Sequence, residues 1–378
     1  MYPALAVLNA LTGAEIRPTA DDAQPERKEL HVLWVGGAGG METDLVREAG
    51  VPYEAIPAAG VHGVGWRALP GNLAQLGGGL LAARRILDRY KPDVMFFTGG
   101  FVAVPVAIAG LLPRAGRPRP RSLVYVPDIE PGLALKTLSR FADRVAVTVE
   151  DTRAFFKRRP GVIVTGYPVR SDLQKWSREQ ACQALQLSSG IPTVFIFGGS
   201  KGSRSINQAV EEILPELLQD TQVIHVSGML DWPAVQANLD RLSRLVSGEI
   251  FRRYKAFPYL HAEMGAAYTA ADLIVCRAGA STLGELPMFG VPAILAPYPY
   301  AWRYQQVNAQ FLARRGATLI LQDAELKTKL LPLVRSLIHD RERLAEMGAA
   351  MSALAKPNAA SKIAAELISL AAPIGGSL

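Results

Sequence analysis

The sequence predicts an α/β protein of two Rossmann-like domains, each built on a parallel sheet, and three observations carry that expectation. Short apolar runs end in glycines and give way to helical patterns, the alternation that builds parallel sheets with crossover helices. The alternation occurs in two sets, separated near residues 158–168, where Arg158-Arg-Pro and Gly166-Tyr-Pro interrupt regular structure. The chain of 378 residues has room for two domains of ordinary size. The expected division is 1–160 and 161–378, with the last helix packing back on the first domain.

The elements follow in order. His31 to Val35 is a short apolar run ending in Gly36-Gly37, and Glu42 to Gly50 reads as a helix. Asp93 to Thr98 runs into Gly99-Gly100 and then into an apolar helix. Ser122 to Val126, Arg144 to Val149 and Val162 to Thr165 complete the first set of strands. The second set opens with Thr193 to Phe197 before Gly198-Gly-Ser200. It continues through Val223 to Val226, Leu273 to Cys276, Ala293 to Ala296 and Thr318 to Leu321. Residues 13–29, polar with scattered charge, read as an exposed loop, Ala353 to Leu370 as a helix, and Gly375-Gly-Ser377 as a loose tail.

Composition narrows the function classes. Hydrophobic residues make up 49% and charged residues 20%, which fits a globular protein with a substantial core. The two cysteines, Cys182 and Cys276, are far apart and have no Cys or His at ligand spacing. Neither a disulfide framework nor a structural zinc site is expected, and a reducing cytosol is the default. Met1-Tyr-Pro-Ala-Leu has no basic n-region and is not read as a signal peptide. The longest apolar run, Val102 to Leu112, is too short to span a bilayer and contains Pro105. A net charge of +7 suits nucleic acid, anionic lipid or phosphate-bearing small molecules. The basic residues are dispersed, with short pairs such as Arg84-Arg85 and Arg252-Arg253, so nucleic acid is the weakest of the three.

Four segments carry candidate chemistry. Gly198-Gly-Ser-Lys-Gly-Ser203 follows an apolar strand and precedes the helical pattern from Ile206, which turns free backbone N–H groups toward an anion. It is neither a Walker A loop nor a GxGxxG fingerprint, and by itself it equally suits a tight strand–helix turn. Cys276-Arg-Ala-Gly-Ala-Ser-Thr-Leu-Gly-Glu285 repeats the arrangement. Its small residues let the backbone approach a diphosphate, Thr282 adds a hydroxyl donor, and Glu285 is placed to accept from a ribose diol. A favourable acid in a first helical turn is the plainer reading of Glu285. Tyr304-Gln-Gln-Val-Asn308 supplies amides able to read sugar hydroxyls, and Arg170 in Gly166-Tyr-Pro-Val-Arg170 can pair with a phosphate. Taken singly, loop amides and a surface arginine are common.

Together these segments resemble the MurG-type undecaprenyldiphospho-muramoylpentapeptide N-acetylglucosaminyltransferases, from Tyr2 to about Ala317. The most specific pieces are Tyr2-Pro-Ala-Leu-Ala, Gly99-Gly-Phe, the Gly166, Gly198 and Cys276 segments, and Gln305 with Asn308-Ala309. The resemblance implies the GT-B fold, two Rossmann-like domains facing a cleft. It implies inverting transfer of N-acetylglucosamine from UDP-N-acetylglucosamine to a polyprenyl-diphosphate acceptor in peptidoglycan synthesis, with no metal and no cofactor. It also implies site roles: Arg170 and Ser200 on the donor diphosphate, with Ala280, Ser281 and Thr282 lining the same pocket. Glu285 falls on the ribose, Gln305 on the sugar, and Leu260 and His261 near the uracil.

Three departures from the family pattern stand out. The strand and Gly-Gly-Thr-Gly-Gly-His loop that open the family are expected to be missing before Tyr2, so the first domain lacks its first strand and the base histidine. Gly36-Gly-Ala-Gly-Gly40 reads as the family's second loop, and Met1 as a misassigned start. Asp128, in Tyr125-Val-Pro-Asp128, stands where the family has an asparagine at the donor sugar or reacting centre, and is the candidate for the catalytic role left unassigned. Arg303 and Tyr304 replace the acidic residue and histidine expected before Gln305.

A polyprenyl acceptor implies peripheral contact with the cytoplasmic face of an anionic membrane. Trp66, Leu69, Leu73, Leu76, Leu80 and Leu81 followed by Arg84-Arg85 suit such a surface, and equally an ordinary packed helix with a basic end. Gly77-Gly-Gly79 argues against one long helix there. Two other functions stay open: a non-catalytic UDP-sugar binder, and another GT-B enzyme such as a glycolipid synthase or a UDP-sugar 2-epimerase.

Overall fold

The computed structural model describes residues 1–13, 30–38, 42–57, 69–113, 116–157, 159–300 and 304–372. The expectations placed on residues 14–29, Trp66, Arg303 and the 375–377 tail fall outside them. The chain divides into two compact units, Met1–Pro168 with Asn358–Leu378, and Val169–Pro357.

The first unit opens with helix α1 (Tyr2–Gly13) and strand β1 (Trp34–Gly37), followed by α2 (Glu42–Glu48), β2 (Tyr53–Ile56) and the 22-residue α3 (Leu69–Tyr90). β3 (Val94–Phe97), α4 (Ala103–Leu111), β4 (Arg121–Val126), α5 (Leu133–Leu138), β5 (Arg144–Val147) and β6 (Val162–Val164) complete its first run. β1 and β2 pair in parallel as one sheet, and β3-β4-β5-β6 form a second, also parallel. Among the described residues no ladder joins the two sheets. They share one apolar core all the same, in which Val35 and Ile56 pack with Phe97, Val124 and Val145. Two expectations change here. The first strand is Trp34–Gly37 rather than 31–35, because its pairing starts where the Trp34 N–H meets the Pro52 carbonyl. Helix α3 runs straight through Gly77-Gly-Gly79, and a Cβ on Gly79 would sit 2.2 Å from the Pro57 carbonyl oxygen. At that position glycine permits a close crossing rather than ending the helix.

The second unit begins with α6 (Arg178–Ala184), capped by Ser177 and Gln180 as a reciprocal capping box. β7 (Thr193–Phe197), α7 (Arg204–Asp220), β8 (Gln222–Val226), α8 (Trp232–Leu245), α9 (Gly248–Phe251) and β9 (Tyr254–Phe257) follow. Next come α10 (Glu263–Ala270), β10 (Leu273–Cys276), α11 (Glu285–Phe289), β11 (Ala293–Leu295) and α12 (Tyr304–Ala313). β12 (Thr318–Ile320), α13 (Leu326–His339) and α14 (Arg341–Ser352) close the unit, after which α15 (Ala359–Ala371) rejoins the first. The helix expected from Ala353 therefore starts at Ala359, because Pro357 biases Lys356 away from helical backbone.

The six strands of this unit pair in parallel in the order β12-β11-β10-β7-β8-β9. β7, β8 and β10 are buried along their whole length; β10 accordingly reads as an unbroken apolar run, while β8 carries the buried polar residues Gln222 and His225. α7 lays Ile206, Val210, Ile213, Leu214 and Leu217 on this sheet at helical spacing, and α13 covers the same core with Leu330, Val334 and Leu337.

Candidate functional site

Because the six strands of the second unit are parallel, their C-terminal ends share one edge, where open α/β sheets bind ligands. Ser200 follows β7, Leu260 and His261 follow β9, Ala280, Ser281 and Thr282 follow β10, and Gln305 lies in the first turn of α12 after β11. Those residues thus come from four loops on one edge of one sheet. Arg170 belongs to the same unit, while Asp128 follows β4 in the first unit.

The loop after β7 is drawn tight by its glycines. A Cβ on Gly198 would lie 2.2 Å from the Ser203 nitrogen, and one on Gly202, at φ +76°, 2.2 Å from the Ser227 carbonyl oxygen. Gly199, at φ +89°, faces open space instead, and Ser200 and Lys201 are exposed. The 17-residue α7 starts at Arg204, so its unsatisfied N–H groups and positive dipole end lie beside this open stretch.

A buried polar chain underlies the loop. The Asn207 amide donates to the Ser227 carbonyl and to Asp231 Oδ2, both at 2.9 Å, which leaves its oxygen as an acceptor. His225 Nε2 lies 3.0 Å from that oxygen, and His225 Nδ1 lies 2.7 Å from the Tyr254 hydroxyl. The arrangement calls for the Nε2–H tautomer, with the Tyr254 O–H donating to Nδ1. Burial alone pulls the imidazole down to about 4, so His225 is neutral here.

The loop after β10 is anchored by a buried cation. Arg277, 8% exposed, donates to the Ala296 carbonyl at 2.9 Å, to Asp323 at 2.5 Å and to the Ser205 hydroxyl at 2.7 Å. Its guanidinium also lies 5.3 Å from the centre of the Tyr298 ring. One residue thereby ties the start of α7 to the ends of β10 and β11, and Ser205 in turn donates to Asp323. Two of the expected ligand groups make hydrogen bonds to the loop itself. Thr282 is buried and its hydroxyl donates to the Gly279 carbonyl at 2.6 Å, so its single proton is already placed. Asn308 is fully buried and its amide donates to the Ala278 carbonyl, which removes it from the amides facing solvent. Ala280 and Ser281 stay partly exposed on a 3-10 turn, Ala280–Leu283.

Glu285 opens α11 and is partly buried, and its Oε2 accepts from the Tyr268 hydroxyl at 2.7 Å. Burial raises its carboxyl above the ordinary value, while the Tyr268 hydroxyl, the Arg170 charge and the Ser281 hydroxyl act in the opposite sense. Arg170 also lies 3.5 Å from Asp172, so its guanidinium serves both carboxylates. The Gln305 side-chain oxygen accepts from the Tyr298 N–H at 2.9 Å, which turns its NH₂ outward as the donor. Leu260 is buried and His261 exposed, with the His261 ring edge-on to Tyr259 at 4.8 Å. Asp128 follows the buried Tyr125, whose hydroxyl meets Thr148 at 2.8 Å, and Thr148 donates to the Pro127 carbonyl.

Tyr268, Asn207, His225 and Asp323 were not singled out by sequence reasoning, because their partners lie on other elements. Arg277 carried one usable signal, a cation placed directly after the apolar run Leu273–Cys276.

Residues 24–147 match the glycosyltransferase family 28 N-terminal domain, and residues 193–364 its C-terminal domain. A UDP-N-acetylglucosamine–N-acetylmuramyl-(pentapeptide) pyrophosphoryl-undecaprenol N-acetylglucosamine transferase of Roseiflexus sp. is 38% identical, over 96% of this chain and 91% of the relative. The enzyme of the same name from Desulforudis audaxviator is 36% identical over 96% and 93%. Among solved structures, MurG of Acinetobacter baumannii superposes with a TM-score of 0.68 at 24% identity, over 97% of this chain and 95% of that one. A UDP-GlcNAc 2-epimerase of Neisseria meningitidis bound to UDP-GlcNAc gives 0.65 at 14% identity, over 97% of both chains, a likeness of fold alone.

Proposed function

The chain belongs to glycosyltransferase family 28, and from that premise we propose that it transfers N-acetylglucosamine from UDP-N-acetylglucosamine to the undecaprenyl-diphosphate-linked N-acetylmuramoyl pentapeptide, converting lipid I to lipid II. The geometric observation behind this reading is the shared edge of β7, β9, β10 and β11, which presents an open glycine loop, a helix N-terminus, a carboxylate and an amide donor.

In the reaction an acceptor hydroxyl attacks the anomeric carbon as the bond from that carbon to the diphosphate oxygen breaks, with inversion. UDP leaves with the bonding electrons, and the hydroxyl proton passes to a base, for which Asp128 is the candidate. Charge developing on the leaving diphosphate is met by the N–H groups of the Gly198–Ser203 loop, the dipole of α7, Ser200 and Arg170, fixed donors that need no reorganisation. Ala280 and Ser281 line the same space. Glu285 takes the ribose diol, the outward NH₂ of Gln305 reads the sugar, and Leu260 with His261 flanks the uracil.

The acceptor's lipid tail sets the place of work. Among the described residues no helix is long and apolar enough to cross a membrane. The first unit exposes Leu81, Phe101, Ile108, Leu112, Leu133 and Phe141 on or beside α3, α4 and α5, among exposed Arg85, Lys136 and Arg140. Exposed apolar side chains on elements that also expose cations suit peripheral binding to an anionic bilayer on the cytoplasmic face.

The test incubates the protein with UDP-N-acetylglucosamine and lipid I in anionic vesicles and follows UDP release and lipid II together. Equal release of both is expected. UDP-sugar binding with no turnover would make the chain a binder, and conversion of the free UDP-sugar to its 2-epimer would make it an epimerase.

A further inference from the structure

On the reading of Glu285 as the ribose ligand, we propose that Tyr268 is the residue that positions it, so that recognition of a ribose diol over a deoxyribose depends on a buried phenol. Tyr268 lies on α10, is 1% exposed, and donates to Glu285 Oε2 at 2.7 Å. Its ring stacks on Phe289 with centres 4.9 Å apart and planes 15° apart. Glu285 and Phe289 are the first and last residues of α11, four apart and therefore on one helical face. A single side chain thus holds both ends of this five-residue helix. So short a helix has little intrinsic stability, and its rotation is set by what it packs against.

The strut is itself fixed. The Tyr268 ring stands edge-on to Phe195 and Phe197 of β7, at 5.5 and 5.8 Å, so its position is referred to a fully buried central strand. Glutamate otherwise keeps substantial rotamer freedom, which a ligand would have to remove on binding. Holding Oε2 in advance removes that cost. A carboxylate accepts up to about four hydrogen bonds, so donors from Tyr268 and Ser281 leave lone pairs for vicinal hydroxyls. A 2′-deoxyribose gains less from this arrangement, because it offers one donor fewer.

The measurement is titration calorimetry of UDP and 2′-deoxy-UDP against the whole protein, its Tyr268→Phe variant and its Glu285→Ala variant. Phenylalanine keeps the ring packing and removes only the hydroxyl. With Tyr268→Phe, UDP affinity should fall about 5- to 10-fold, the cost of ordering on binding a glutamate side chain that is no longer held in advance. The affinity for 2′-deoxy-UDP should change less than about twofold, so the preference for the ribonucleotide collapses. Equal losses for both nucleotides would show a merely structural residue and overturn the proposal, as would unchanged UDP affinity in Tyr268→Phe alongside a loss in Glu285→Ala. Unchanged UDP affinity in Glu285→Ala would remove the ribose reading itself, and this proposal with it.

Discussion

His225 Nε2 meets the Asn207 side-chain oxygen at 3.0 Å beneath the Gly198–Ser203 loop, and the same asparagine donates to the Ser227 carbonyl that Gly202 packs against. The contact exists only while the imidazole and amide keep their donor and acceptor roles, and burial that holds His225 down to about 4 enforces this. The sign of the pH effect follows. Between about 6.5 and about 4 the unfolded chain takes up a proton that the folded one refuses. Stability of the second unit therefore falls as pH drops through that window, by about 3 kcal/mol in full. Urea unfolding at pH 7.5 and 4.5 should show the loss, and a His225→Gln variant should lose measurably less. Identical losses in the two proteins would contradict the assignment.

Glu285→Ala should weaken UDP-N-acetylglucosamine binding about ten- to a hundredfold, from roughly 1.5–3 kcal/mol of charged hydrogen bonds. In the parent protein, affinity should begin to fall on acidification above the usual carboxylate range, because burial raises this carboxyl. In Glu285→Gln that dependence should flatten. The folded state also binds the Glu285 proton more tightly than the unfolded chain does, so the carboxylate costs stability as pH rises. The melting temperature at pH 7 should accordingly hold in both variants. A lowered melting temperature with intact affinity would instead mark Glu285 as a helix-terminus residue.

Gly202→Ala should damage the diphosphate loop more than an ordinary surface substitution. The new methyl meets the Ser227 carbonyl oxygen at 2.2 Å on a backbone at φ +76°, which L side chains rarely adopt. A loss of about 1–3 kcal/mol in stability and a clear loss of UDP affinity are expected. Gly199→Ala adds its methyl into open space and suffers the backbone strain alone, so it should be the milder of the two. The reverse order, in paired melting and binding measurements, would mean that the loop is not packed as described.

Donor binding should not require a divalent cation, since Arg170, the α7 N-terminus and the loop N–H groups supply the positive charge. Calorimetry in EDTA and in magnesium should give the same UDP affinity within about twofold. A loss in EDTA that magnesium or manganese restores would refute this.

Replacing Phe101, Leu133 and Phe141 together by serine should release the protein from anionic vesicles while leaving UDP affinity in solution unchanged. These side chains are 57%, 50% and 55% exposed, so the folded core loses little. Unchanged vesicle sedimentation would move the membrane surface elsewhere.

How far the sequence could be read depended on where each residue's partners lie. Thr193–Phe197 and Leu273–Cys276 were legible as strands because a strand buried on both faces is apolar throughout. Tyr53–Ile56 and Tyr254–Phe257 were missed: each is a four-residue edge strand, one carrying Glu54 and the other Lys255, so neither shows a clean period. The loops around Ser200 and Ser281 announced themselves through glycine and small residues adjacent in sequence. The contacts that hold those loops did not, since Arg277–Asp323 spans 46 positions and His225–Tyr254 spans 29. Thr282 and Asn308 meet the same limit, because a polar side chain carries no mark in the sequence of whether its partner is a ligand or a nearby carbonyl.

The return of α15 to the first unit has a consequence for how the chain is made. This helix packs on α1 and lies along β3 and β4, and Arg144 pairs with Glu366 at 2.9 Å. A ribosome delivers α1 and β1–β6 first, then the whole of the second unit, and α15 only afterwards. The N-terminal unit must therefore wait with its α15-facing surface uncovered while 189 residues, Val169–Pro357, are synthesised. At about 5–20 residues per second that interval is on the order of ten to forty seconds. Nascent-chain protease sensitivity should accordingly persist in the N-terminal unit after the second unit has become resistant, an order of maturation opposite to the order of synthesis.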